Sequence, residues 1–192
     1  MNVAFDFRYV TPGAYHAFDD VKPSLAVSAA ELAKLDPNAR GRAAAFAPGG
    51  PYATMMAERP IVMRVGDTLF VHGGVLPKHA RRGLDTLNDE AREWLLGKSR
   101  QAPSALTEQD SPAWSRLYSD DNGANACKTL EEALALTGAK RMVMGHTVQK
   151  NGINATCDER AWRIDTGLAK FYGGKLEVLE IRGDAVKVKR PD

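Results

Sequence analysis

The 192-residue sequence predicts a mixed α/β fold with a mostly antiparallel carboxyl-terminal part. Three features predict it. Two short apolar runs, residues 68–72 and 141–144, read as buried strands. Helical segments closed by glycine punctuate the middle of the chain. The last third is mostly strand-like, with a hairpin signal near its end.

The elements follow in order. Residues 1–23 are irregular, rich in aromatics, with a Thr11-Pro12-Gly13 turn signal. The stretch 24–35 contains Ser28-Ala29-Ala30-Glu31, the form of a helix N-cap followed three residues later by a glutamate. Residues 43–46 lead into Pro48-Gly49-Gly50-Pro51, a loop. Residues 61–65 and 68–72 form a tight hairpin around Gly66-Asp67. Residues 84–96 are helical and end at Gly97, whereas 99–113, with Pro103 and Pro112 among polar residues, read as a surface excursion. A helix over 128–137 is capped by Gly138, and the buried strand 141–144 follows. Strands over 161–165, 176–181 and 185–188 complete the chain, the last two turning at Gly183-Asp184. No internal repeat or low-complexity tract divides it.

Composition narrows the function classes. Hydrophobic residues make up 44% and charged residues 26%, an ordinary globular balance that leaves material for a sizeable core. A net charge of +2 creates no field that would argue for nucleic acid or an anionic membrane as partner. Cys127 and Cys157 lie far apart and outside any CxxC arrangement. That excludes a cysteine zinc site or a disulfide scaffold, and fits a reducing compartment or simple indifference. No apolar run is long enough to span a bilayer, and no secretory signal is visible, so a cytoplasmic location is expected.

Both apolar runs end in a histidine followed by small residues: Val71-His72-Gly73-Gly74 and Met144-Gly145-His146-Thr147. Strand ends at the carboxyl edge of a sheet are where such folds place their sites. Neutral imidazole is a common metal ligand, so His72 and His146 are candidate ligands of one divalent ion. A dinuclear hydrolase clamps two ions about 3.5–4 Å apart and needs a bridging carboxylate. Nothing before His72 supplies the carboxylates required. Glycines after a ligand histidine let a phosphate or metal approach the backbone. Arg116, in Trp114-Ser115-Arg116-Leu117-Tyr118, lies in a segment too polar to be core and is the candidate phosphate-binding cation. A histidine ending one apolar run is more often structural than a ligand; two in the same setting tilt toward a site. His16 and His79, in polar irregular contexts, are assigned to the surface. Pro48 to Pro51 is read as a plain turn before a substrate rim, and Asp165 as a turn former before a ligand.

Several ordered segments resemble a known family. Val71-His72-Gly73-Gly74-Val75-Leu76-Pro77, Met144-Gly145-His146-Thr147-Val148-Gln149 and Trp162-Arg163-Ile164-Asp165-Thr166-Gly167 look like the calcineurin-like metallophosphoesterases. Phe46 to Tyr52, Trp114-Ser115-Arg116 and Tyr172 to Val178 match, in order, the branch called Shewanella-like protein phosphatases. The resemblance covers nearly the whole chain. It implies a partial β-sandwich flanked by helices, a phosphoprotein or phosphopeptide substrate, and two divalent ions (manganese, iron or zinc) in the full-length family. It also implies that His72 and His146 ligate the same ion and that Arg116 holds the substrate phosphate.

The family's first half carries the motifs DxH, GDxxDRG and GNHE, which supply the remaining ligands and the general-acid histidine. None of them occurs in this sequence. Residues 1–192 are therefore expected to be one phosphoesterase domain lacking its first half. On that expectation strands 68–71 and 141–144 lose neighbours and expose edges, and the isolated chain aggregates or partly unfolds. At most one weakly bound ion is expected. Turnover should be slight or absent, since a general acid alone contributes on the order of 10²–10⁴-fold. The competing readings are a catalytically dead binding or regulatory module and a dinucleoside polyphosphate hydrolase. A third is a β-rich domain with structural histidines. The oligomeric state is open.

Overall fold

The computed structural model describes residues 1–22, 27–120 and 123–191. In chain order, short 3-10 turns aside, its α-helices and strands begin with α1 (Ala29–Ala33), α2 (Arg40–Phe46) and α3 (Pro51–Ala57), then β1 (Val62–Val65) and β2 (Thr68–Val71). Helices α4 (Pro77–Arg82), α5 (Leu84–Leu95), α6 (Ser104–Thr107) and α7 (Ala124–Thr137) follow. Strands β3 (Arg141–Met144), β4 (Asn154–Thr156), β5 (Ala161–Arg163), β6 (Val178–Arg182) and β7 (Ala185–Lys189) complete the chain. The mixed α/β class is as predicted. Two compact units contain these elements: Met1–Pro60 with Asn88–Pro103, and Ile61–Leu87 with Ser104–Asp192.

In the first unit, Ser28 and Glu31 form the predicted capping box. Ser28 Oγ accepts the Glu31 N–H at 3.2 Å, and the Glu31 carboxylate accepts the Ser28 N–H at 2.9 Å. The predicted start of this stretch, at residues 24–26, lies outside the described residues. Val27, Leu32, Ala43, Ala44 and Ala47 make the core, with Phe5, Phe7, Val21 and Leu35 packed around it. The Pro48–Pro51 turn joins α2 to α3, a helix the sequence reading did not anticipate.

The second unit is built on a five-stranded sheet of order β1-β2-β3-β5-β4. Its three central strands run parallel, and both edge strands are antiparallel to their neighbours. Val71 pairs with Met144 and Met144 with Arg163, so all three parallel strands deliver their carboxyl ends to one edge. Side chains alternate across the pleat. Leu69, Val71, Met142, Met144 and Ala161 join the cluster containing Ala126, Leu130 and Leu134 of α7. Those α7 residues lie on one helical face, which is why that helix covers the sheet. Val143 and Trp162 face the other way and pack with Leu179, Ile181, Val186 and Val188 of the β6–β7 hairpin. The sheet is thus covered on both faces.

Several expectations are corrected. Strands β2 and β3 are each paired on both sides, so neither lacks a neighbour. Short antiparallel strands within this chain, β1 and β4, take the edges. Cys127 and Cys157 are joined by a disulfide, tying α7 to the β4–β5 turn; separation in sequence says nothing of separation in the fold. Residues 104–112 are not a plain surface excursion. They include α6 and the fully buried Ser111 and Pro112. The 114–118 segment likewise reaches the core, where Ser115 and Tyr118 are buried.

His79 is also buried, not on the surface as expected; His16 is exposed. The His79 Nδ1 accepts the Leu76 N–H at 3.1 Å, closing the start of α4. Burial first, then the neighbouring Lys78 charge, holds its pKa below the ordinary value, against the opposing pull of Asp110 and Glu108. A protonated ring cannot accept that bond. The unfolded chain gains a proton as pH falls through about 6.5 while the folded chain resists it, so stability is complete above that pH and lost below it. The thermal midpoint is expected to drop between pH 7.5 and pH 5. His79→Asn, which keeps an acceptor but does not titrate, should show a smaller drop; an equal drop removes His79 as the cause.

No helix among the described residues is long and apolar enough to cross a membrane.

Candidate functional site

The carboxyl edge of the three parallel strands carries the candidate residues, all within the second unit. His72 follows β2 directly, and His146 follows β3 after Gly145, whose N–H donates to the His72 carbonyl at 3.0 Å. That bond continues the strand pairing past the sheet and brings the two imidazoles together. The His146 Nδ1 and His72 Nε2 are 3.0 Å apart, with the ring planes at 64°. His146 has a φ of 69°, in the left-handed region. Trp114 stands edge-on to its ring at 5.5 Å, its own Nε1–H donating to the Leu106 carbonyl at 2.9 Å.

The glycines after His72 have a packing reason of their own. Gly73 N–H and Gly74 N–H donate to the Pro112 carbonyl at 2.7 and 3.2 Å. A Cβ on Gly73 would lie 2.8–3.0 Å from backbone atoms of Ser115 and Pro112, and one on Gly74 3.0 Å from the Tyr118 ring. The chain's own 112–118 segment thus approaches both glycines closely.

That segment also presents Arg116, which is half exposed. Its Nη1–H donates to the Thr147 hydroxyl at 2.9 Å, next to His146 in sequence. A 3.9 Å pair with Asp120 is exposed and contributes little. The Asp165 carboxylate accepts the Gly167 N–H at 3.0 Å, the turn-forming role expected of it. Thr147 and Ser119, to which no role was given from sequence, connect Arg116 to the histidine edge. The only local signal for them is their spacing, one residue after His146 and three after Arg116.

Burial lowers the pKa of both imidazoles. The Arg116 charge adds to this in each, while Asp165 opposes it. Both shifts favour the neutral imidazole, the form that can offer a lone pair. Two nitrogens 3.0 Å apart are placed as neighbouring donors on one ion would be, given metal–nitrogen bonds of about 2.0–2.1 Å. The His146 Nε2 is buried and has no hydrogen-bond partner. Among the described residues, no group of three or more His, Cys, Asp or Glu side chains converges to hold a metal. The pair therefore fits part of a metal's donor set and no more.

No family model matches the chain. It is 43% identical over 152 residues to "Shewanella-like protein phosphatase 2" of Arabidopsis thaliana, covering 76% of this chain and 39% of that protein. An uncharacterized protein of Acanthamoeba polyphaga mimivirus is 32% identical over 222 aligned positions, 96% of this chain and 85% of that one. Among solved structures, "New Structure Of Cold-Active Protein Tyrosine Phosphatase At 1.1 Angstrom" superposes with a TM-score of 0.58 and 18% identity, covering 78% of this chain and 47% of that one. The cold-active protein-tyrosine phosphatase of a psychrophile Shewanella sp. gives 0.57 and 22%, covering 69% and 41%. At these identities the structures share the fold. The chain spans less than half the length of the plant protein and of both structures.

Proposed function

Because the chain belongs to the Shewanella-like protein phosphatases, we propose that its second unit forms the ion- and phosphate-binding part of a phosphoprotein phosphatase, a hydrolase of phosphomonoesters. The observation that carries this reading is the meeting of His72 and His146 at 3.0 Å on the sheet edge that also receives Arg116. In it, His72 Nε2 and His146 Nδ1 bind one divalent ion, manganese, iron or zinc. Such an ion supplies a positive charge against phosphate oxygens and an acidified water. Arg116 offers a guanidinium to the phosphate, whose oxygens it can meet two at a time. Trp114 keeps solvent from one side of the His146 ring. The chain has no DxH, GDxxDRG or GNHE sequence, so the reading includes weak ion binding and little or no turnover by the chain alone.

Titration with zinc ion, followed on the histidine ring nitrogens by NMR, tests it. The His72 and His146 signals should move together while His16 and His79 stay. His72→Ala or His146→Ala should weaken binding by more than about tenfold, the lower bound for losing even a supporting residue of a metal ligand. Rings that do not respond would sink the reading. A second reading, a catalytically inactive binding module, is supported by the pairing of β2 and β3 on both sides. It predicts that the 192-residue chain folds cooperatively with no metal added and that manganese confers no cleavage of a chromogenic phosphate ester.

A further inference from the structure

We propose that Thr147 and Ser119 are positioning residues for Arg116, closing a ring of hydrogen bonds that begins and ends on that arginine. The value of that positioning rests on the reading of Arg116 as the phosphate-binding residue; the ring itself does not.

The ring has a direction. A guanidinium donates and never accepts, so Arg116 Nη1–H must give its proton to the Thr147 oxygen, 2.9 Å away. The Thr147 hydroxyl proton is then free for Ser119 Oγ at 2.7 Å. The Ser119 hydroxyl proton in turn points to the Arg116 carbonyl at 3.4 Å. Each hydroxyl accepts once and donates once, and bonds so chained polarise one another. The Ser119 and Asp120 N–H groups also donate to the Arg116 carbonyl, at 3.1 and 2.9 Å, which fixes the turn holding Ser119 under the arginine.

The ring is fastened to the histidine edge. Thr147 follows His146, and its N–H donates to the Gly145 carbonyl at 2.8 Å. The Gln149 side-chain amide donates to the carbonyls of both Thr147 and Ser119, at 2.9 and 3.3 Å, clamping the two segments together. Gln149 is held in its turn by Asn154 Nδ2 at 3.1 Å, and Asn154 by Arg163 Nε at 2.6 Å. A continuous set of bonds therefore runs from β5 through β4 to the guanidinium. A half-exposed arginine would otherwise sample many rotamers. Fixing it in advance lowers the cost of binding, worth about three- to tenfold in affinity for one long side chain.

The experiment uses the whole chain and two readouts. The first is the NMR spectrum of the Arg116 side-chain N–H groups, where hindered rotation of the guanidinium separates the Nη signals. The second is titration with inorganic phosphate. Thr147→Val, which keeps the shape and loses the hydroxyl, should merge the Nη signals and weaken phosphate binding about three- to tenfold. Thr147→Ser should restore both. Ser119→Ala carries the same expectation and serves if the valine variant folds poorly. Unchanged Arg116 signals in Thr147→Val and Ser119→Ala overturn the ring. If the signals merge as expected but phosphate never perturbs Arg116 in the parent chain, the ring stands and the assignment of Arg116 to phosphate falls.

Discussion

Reduction of the bond between Cys127 and Cys157 is expected to lower the thermal midpoint of the second unit by on the order of 10 °C. The two cysteines are separated by 30 positions. Releasing a loop of that length returns about 3–4 kcal/mol of chain entropy to the unfolded state, and each kcal/mol moves the midpoint of a unit this size by several degrees. A local reason adds to the general one. Cys157, Asp158 and Glu159 all have φ between 53° and 59°, a left-handed conformation that costs a non-glycine residue about 1–2 kcal/mol. Three in succession persist only because the surroundings hold them, and the bond to α7 is the covalent part of that hold. Circular dichroism melts with and without reductant test this, with the Cys127→Ser, Cys157→Ser double variant as control. Reduced chain and double variant should melt together, well below the oxidised chain. Coincidence of all three would show that packing alone fixes the turn.

Replacing Tyr118 with alanine is the second large effect, a loss of about 3–5 kcal/mol, the range for emptying a buried aromatic site. Tyr118 is fully buried, and its hydroxyl donates to the Val75 carbonyl at 3.1 Å. Burial pushes the phenol's pKa up, so it remains a donor throughout the working pH range. The ring lies against Gly74 on one side of the core that also holds Leu69, Met142 and Leu130. Tyr118→Phe keeps that packing and loses one hydrogen bond, about 1 kcal/mol. Denaturant titration separates the two. Because Tyr118 sits between Arg116 and Ser119, the alanine variant should also loosen the guanidinium. A loss below about 1 kcal/mol in Tyr118→Ala would mean that the 114–120 segment is anchored elsewhere.

The parts legible from sequence share a physical cause. Leu69, Val71, Met142, Val143 and Met144 form apolar runs too short for a helix and too apolar for an edge, so they are core strands in any reading. Gly66, Gly97, Gly138 and Gly183 end elements where the backbone turns left-handed, as all four do here. The meeting of His72 and His146 followed from two such strands lying parallel and in register. Other parts carried no local signal. Asn154-Ala155-Thr156 is too short and polar to announce a strand, and pairs only because β5 offers it an edge. Pro77-Lys78-His79-Ala80-Arg81-Arg82 reads as polar loop, yet it buries His79 beneath a charged exterior. Ser111 and Ser115 look like surface residues; they are buried beside Pro112, whose carbonyl takes the Gly73 and Gly74 N–H groups, and Ser115 lies against Gly73.

The left-handed backbone at His146 has a consequence for how this position can drift over generations. Aspartate, asparagine and histidine are the non-glycine residues that most readily take up that conformation, and all three can donate a lone pair to a cation. Branched and bulky replacements are rejected by the main chain before any question of chemistry arises. An exchange tolerated by folding at this point would therefore tend to leave a coordinating atom behind, so architecture and ligand chemistry filter the same few alternatives.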